Sequence, residues 1–234
     1  MPSFALPSFH DRFLLTIYVF LIFCVMLSNG QQSQSPFDIN GGSVLAMAGK
    51  DCVAIAVDKR FGVGPQLINS SAKRILKVHG RLLVGVGGFD SDVQTLLEEV
   101  ASDMTLLRLR SRRPIAPAPF ASYLSDFLWK RRLFVTPVVA GLNADGTPFL
   151  CMQDSLGAPV ESEDFVVCGT STDALYGVCE AIYRDGMDVK ELFEAASHCL
   201  MAAMERDCFG GYGATIHLIT KDGIESHDII CRND

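Results

Sequence analysis

Between residues 43 and 88 the chain is a series of short, almost continuously apolar runs separated by turn residues. Runs at 43–48, 52–58, 74–78 and 81–88 have strand length. Their lack of a polar alternate face predicts a sheet covered on both sides rather than one open to water. The period then changes. Between residues 90 and 110, Val93, Leu96, Leu97, Val100, Met104 and Leu107 recur at three- and four-residue intervals, which predicts an amphipathic helix of five to six turns capped by Ser91 or Asp92. The prolines of "RRPIAPAP" interrupt it, and Phe120, Tyr123, Leu124, Phe127 and Leu128 form a second helical stripe ending in "KRR". A hairpin follows at 135–142 and 148–154 around "NADGT", then a strand at 164–169. Helices are expected at 172–184 and 188–206, and a last hairpin closes around "KDG" at 221–223.

The order is strands, two helices, strands, two helices, strands. Each helix pair must cover a sheet face, so the economical architecture is α+β: a four-layer αββα sandwich of two stacked, mainly antiparallel sheets flanked by helix pairs. With 234 residues, about half of them apolar, one domain over 39–234 is expected. The apolar run at 13–28, "FLLTIYVFLIFCVMLS", is short for a membrane span and lies before a Gln/Ser-rich linker. Residues 1–38 are therefore read as a leader or extension outside the fold: a signal-like segment, some other removed or atypical extension, or a mispredicted start of the coding sequence.

Composition narrows the chemistry. The formal charge is −7, and the dense basic clusters are "RLRSRR" at 108–113 and "WKRR" at 129–132. They form no extended basic stripe, which argues against nucleic-acid binding. Eight cysteines include no CxxC pair, and the five histidines have no metal-ligand spacing. Cys52, Cys151, Cys168, Cys179 and Cys199 lie inside apolar segments, as reduced, packed thiols do. No metal or cofactor is expected, apart from a weak cation suggestion at Asp234.

Five segments, in this order, carry a resemblance: "CVAIAVDKRFG" at 52–62, "LLVGVGGFDSDVQTL" at 82–96, "PVVAGL" at 137–142, "FVVCGTSTDALYG" at 165–177 and "RDCFGG" at 206–211. Together they make residues 39–232 similar to the proteasome β-subunit family of N-terminal nucleophile hydrolases. The resemblance implies an N-terminal threonine nucleophile that uses its own α-amine as base, a lysine–aspartate pair beside it, and an oxyanion-binding glycine turn. In this chain Asp58 falls on the family's aspartate, and sixteen residues earlier stands Gly42, which has no side chain. Sixteen residues later stands Arg74, with Lys73 one place early. Gly88 falls on the oxyanion glycine and Asp207 on the late aspartate. Cys168 and Thr170 fall on two serine positions, and Gly210 on the serine after Asp207. The resemblance thus implies a non-catalytic member with no catalytic residue. Its expected partners are neighbouring β subunits, the α ring and the opposite β ring. Substrate polypeptide passes through the chamber, and the expected location is cytoplasm and nucleus.

Two alternatives stay open at this stage. Cleavage after Gly42 would expose Ser43 as a nucleophile, although a one-residue shift in a strand turns the side chain to the other face. A secreted or membrane-anchored binding protein would use the 13–28 run instead. Several residues also have plain structural readings. Asp58 can simply accept backbone N–H groups, Gly87 and Gly88 can allow a strand to approach the first helix, and "GGYGA" at 210–214 is a turn rather than a phosphate loop.

Overall fold

The structure is a computed structural model that describes residues 42–63 and 66–231. The 13–28 run and Asp234 lie outside the described residues.

The chain begins with β1 (Ser43–Gly49), β2 (Cys52–Asp58) and a small hairpin of β3 (Phe61–Val63) and β4 (Gln66–Asn69). Next come β5 (Ile75–His79), β6 (Leu82–Gly88), α1 (Asp90–Ser111) and α2 (Pro117–Arg131). Then follow β7 (Val135–Leu142), β8 (Pro148–Gln153), β9 (Pro159–Ser162) and β10 (Phe165–Gly169). The chain continues through α3 (Thr172–Ile182), α4 (Val189–Met204), β11 (Ala214–Ile219) and β12 (Ile224–Ile229). One five-stranded sheet has the order β10-β1-β2-β11-β12, and the other runs β5-β6-β7-β8-β9. All their pairings are antiparallel.

Successive side chains of a strand point to opposite faces, and here both faces are dry. In β1, Leu45 and Met47 pack with Leu192, Cys199 and Leu200 of α4, while Val44 and Ala46 pack with Leu83, Val138 and Leu150 of the other sheet. On the far side of that second sheet, Leu82, Val84 and Val86 meet Val93 and Leu96 of α1 and Phe120, Leu124 and Leu128 of α2. Three apolar seams therefore separate four layers, as the continuous apolar runs require. Each fully buried side chain of this kind contributes about 1.5–3 kcal/mol relative to exposure.

The α1–α2 pair is antiparallel. Tyr123 of α2 donates its hydroxyl to Asp103 at 2.6 Å, and Arg131, further along α2, reaches Glu99, earlier in α1, at 2.6 Å.

Three details differ from the sequence expectation. The α1 N-cap is Phe89, with no side-chain cap; Asp92 instead accepts the Phe134 backbone N–H at 2.8 Å, tying the helix start to the chain entering β7. Leu107 is exposed rather than part of the buried stripe, whose last buried member is Met104. The strands β4 and β9 carry mostly exposed residues, so no core face marks them in the sequence, and β3 is only three residues long.

Candidate functional site

The residues singled out from the sequence converge at one end of the first sheet. The β1–β2 register pairs Val44 with Val57, which brings the segment entering β1 alongside the end of β2. Asp58, at that end, is fully buried, and its Oδ1 accepts the Ser43 backbone N–H at 3.1 Å. Arg74, just before β5, is also fully buried; its Nε lies 3.9 Å from Asp58 Oδ1, and its Nη2 donates to the Arg60 carbonyl at 2.9 Å. Lys73 is exposed, so Arg74 is the cation that enters the site. Asp58 Oδ2 and the Nε and Nη1 of Arg74 have no hydrogen-bond partner.

Burial pushes the Asp58 carboxyl up to about 7, against the lowering influence of Arg74 and of the Ser43 N–H; the nearby Asp207 charge pushes it further up. A guanidinium offers only N–H donors, so Arg74 cannot take the place of a proton-sharing lysine.

Gly42 adjoins this pair. Its carbonyl accepts the Thr170 N–H at 3.2 Å, and its φ of 138° is a conformation that side chains rarely adopt. A Cβ placed on it would lie 2.5 Å from Cζ of Arg74 and closer still to Nη1. The volume beside Gly42 is thus filled by a guanidinium.

Ser43 is fully buried. It has the parity of Leu45 and Met47, which face α4, whereas Gly42 has the parity of Val44 and Ala46, which face between the sheets. Its Oγ accepts the Ser171 N–H at 3.2 Å, at the start of α3. The hydroxyl therefore points to the helix side, away from Arg74.

A second cluster forms around Asp207. Its Oδ2 accepts hydroxyl protons from Thr170 and Ser171, both at 2.6 Å, and its Oδ1 accepts the Phe209 N–H at 2.8 Å. A Cβ on Gly210 would stand 3.4 Å from the same Oδ2, so a serine there has room to join the cluster but this chain supplies none. Cys168 is buried, its thiol directed to the Thr136 carbonyl at 3.3 Å and pushed up to about 11 by burial, so it stays protonated at neutral pH. Gly88 ends β6 with φ 120°, where a Cβ would stand 2.9 Å from Val135 Cα and 2.5 Å from the Phe134 carbonyl oxygen. Close passage of two backbones is enough to require glycine there.

The structure therefore brings together Gly42, Asp58 and Arg74, and joins Thr170 to Asp207 with Gly210 beside them. Two participants were not singled out from the sequence. Ser171 bridges the two clusters through its N–H to Ser43 and its hydroxyl to Asp207. Arg60, 1 % exposed, supplies the carbonyl that holds Arg74 and donates its own Nη1 to the Phe209 carbonyl at 3.0 Å. Its position after Asp58 and Lys59 resembles a solvated strand end, and only the neighbouring apolar "FG" hints that it turns inward. Among the described residues there is no group of three or more His, Cys, Asp or Glu placed to hold a metal. No helix of the described residues is long and apolar enough to cross a membrane.

Comparison with known proteins agrees with this geometry. The family described as proteasome subunit matches residues 39–219. Proteasome subunit beta type-3-A of Arabidopsis thaliana is 41% identical over 203 residues, covering 86% of this chain and 100% of the relative. The Drosophila melanogaster proteasome subunit beta type-3 is 38% identical and that of Dictyostelium discoideum 37%, each over 199 residues, covering 83% of this chain and 97% of the relative. A family match over most of the chain, and relatives aligned along almost their whole length, leave one conclusion: the chain belongs to the proteasome subunit family.

Proposed function

We propose that the chain is a non-catalytic β subunit of the proteasome core particle, of the beta type-3 kind, acting in assembly and in shaping the chamber wall. The observation that carries this reading is Gly42. The position paired with Asp58 and Arg74 offers no hydroxyl, and the space beside it is filled by guanidinium. Gly42, Asp58, Arg74, Gly88, Cys168, Thr170, Asp207 and Gly210 are then the degenerate remains of a threonine-type site. Restoring one element would not restore the others, because arginine cannot share a proton and Gly210 adds no hydroxyl. The Ser43 alternative is disfavoured by parity, since its Oγ is engaged on the helix side.

As a ring component it would meet neighbouring β subunits through two different flanks, since closed rings of this kind use heterologous contacts. The α ring and the opposite β ring are the further partners of this reading. The exposed leucines at the end of α1 suit such a contact: Leu106, Leu107 and Leu109 stand among Arg108, Arg110, Arg112 and Arg113. The reading places the fold in residues 39–234, treats 1–38 as an extension, and puts the protein in cytoplasm and nucleus.

The test is to recover the chain from its native assembly, determine its mature N-terminus, and expose it to an electrophilic probe for N-terminal serine and threonine. An unlabelled chain that migrates with a large cylindrical particle is expected. A covalent adduct on Ser43 would overturn the non-catalytic assignment, and a chain found free or on membranes would overturn the ring assignment.

A further inference from the structure

The contact between Gly42 and Arg74 has a meaning beyond the missing nucleophile. The backbone of Gly42 is held on two sides. Its carbonyl takes the Thr170 N–H at 3.2 Å, and the next residue's N–H is held by Asp58 at 3.1 Å. Gly169 packs so closely against it that a Cβ on Gly169 would lie 2.8 Å from Ser43 Cα. The strand end therefore cannot retreat from a new side chain at 42, and Arg74 would have to move.

Arg74 is not a loose surface arginine. Its side chain is fully buried and donates to the Arg60 carbonyl at 2.9 Å, while its own carbonyl accepts the Val86 N–H at 2.8 Å. Leaving the site would uncouple it from Asp58 and from Arg60. The adjoining cleft is lined by Lys59, Lys73, His217 and Asp228, and Asp228 is already paired with Lys59 at 2.7 Å. A displaced guanidinium would thus move toward two ammonium groups with the local carboxylate engaged.

We propose that Arg74 is a plug: its guanidinium occupies the volume a side chain at position 42 needs, so Gly42 and Arg74 are a matched pair and neither can be replaced independently. The steric statement stands on its own. Its functional meaning, that the chain is locked out of regaining a nucleophile by a single substitution, rests on the reading of position 42 proposed above.

The test is a set of unfolding midpoints for the full chain with Gly42→Ala made in three backgrounds: the natural one, Arg74→Met and Arg74→Lys. The positive φ at 42 strains alanine in every background, so strain alone gives equal shifts. The plug adds a loss present only with the full guanidinium. The shift caused by Gly42→Ala should therefore be smaller by at least about 4 °C in the Arg74→Met background, with Arg74→Lys intermediate. Equal shifts in all three backgrounds overturn the proposal. Where Gly42→Ala alone yields no folded chain, recovery of folded protein in Gly42→Ala/Arg74→Met supports the plug, and failure to recover it overturns it. These outcomes do not depend on labelling of Ser43, so failure of the plug and failure of the non-catalytic assignment are told apart.

Discussion

At the scale of single residues, the site is governed by the buried Asp58–Arg74 pair and by a second carboxylate, Asp207, that ties loops together. Asp58 binds its proton more tightly in the folded chain, about 7, than the ordinary carboxyl near 3.8, chiefly because of burial. Its folded value is raised, so its contribution is fully present below the unfolded value and is lost as pH climbs from about 4 to about 7. Relative to Asp58→Asn, which retains an oxygen for the Ser43 N–H, the natural chain should therefore lose stability across that window and show a constant difference above it. Unfolding midpoints measured across that pH range check the sign; a difference that does not change with pH would show that Asp58 ionises normally. Asp207 has a different role, since it accepts hydrogen bonds from Thr170 and Ser171, distant in sequence, as well as from Phe209 in its own loop. Asp207→Ala should lower stability by about 2–3 kcal/mol in denaturant unfolding, because bonds to the carboxylate are lost and the buried Ser171 hydroxyl is left without its acceptor.

At the scale of elements, the sequence is readable wherever both faces of a strand or one face of a helix meet a core. Strands β1, β2, β6 and β7 announce themselves by continuous apolar runs, and α2 by the Phe120, Leu124, Leu128 stripe, because burial selects those residue types. Strands β4 and β9 escape notice since "QLIN" and "PVES" have almost no buried position to impose a pattern. Capping at α1 is misjudged because a tertiary partner, the Phe134 N–H, takes Asp92 away from the helix end. In the site, the meeting of Gly42, Asp58 and Arg74 is legible only through spacing interpreted by family resemblance. Ser171 has no local signature and Arg60 only the neighbouring apolar "FG", since their roles depend on contacts with distant segments. The antiparallel pairing of Gly88 in β6 with Val135 in β7 yields a sharp expectation. Gly88→Ala forces a Cβ into the Phe134 carbonyl and the Val135 backbone, and should cost about 3 kcal/mol or more, read by thermal unfolding. Leu124→Ala, in the seam between α2 and the sheet, should cost about 2–5 kcal/mol by leaving a cavity.

At the scale of the whole molecule, the exposed leucines at the end of α1 lie beside a run of arginines. Leu106 and Leu109 are exposed, Leu109 at 68%, so Leu106→Asp/Leu109→Asp should leave the unfolding midpoint within a few degrees of the natural value. The same double variant should enter the assembled particle poorly, measured as the fraction of chain in the high-mass band of a native gel. Normal incorporation would move the assembly contact elsewhere on the surface. The central claim is that this subunit completes a proteolytic chamber without cutting. It is tested most directly by isolating the native particle, treating it with an electrophilic probe for N-terminal hydroxyl nucleophiles, and weighing each subunit intact. The account requires this chain to be present in the particle at its unmodified mass while catalytic neighbours gain the probe. An adduct on this chain, mapped to Ser43, would contradict it.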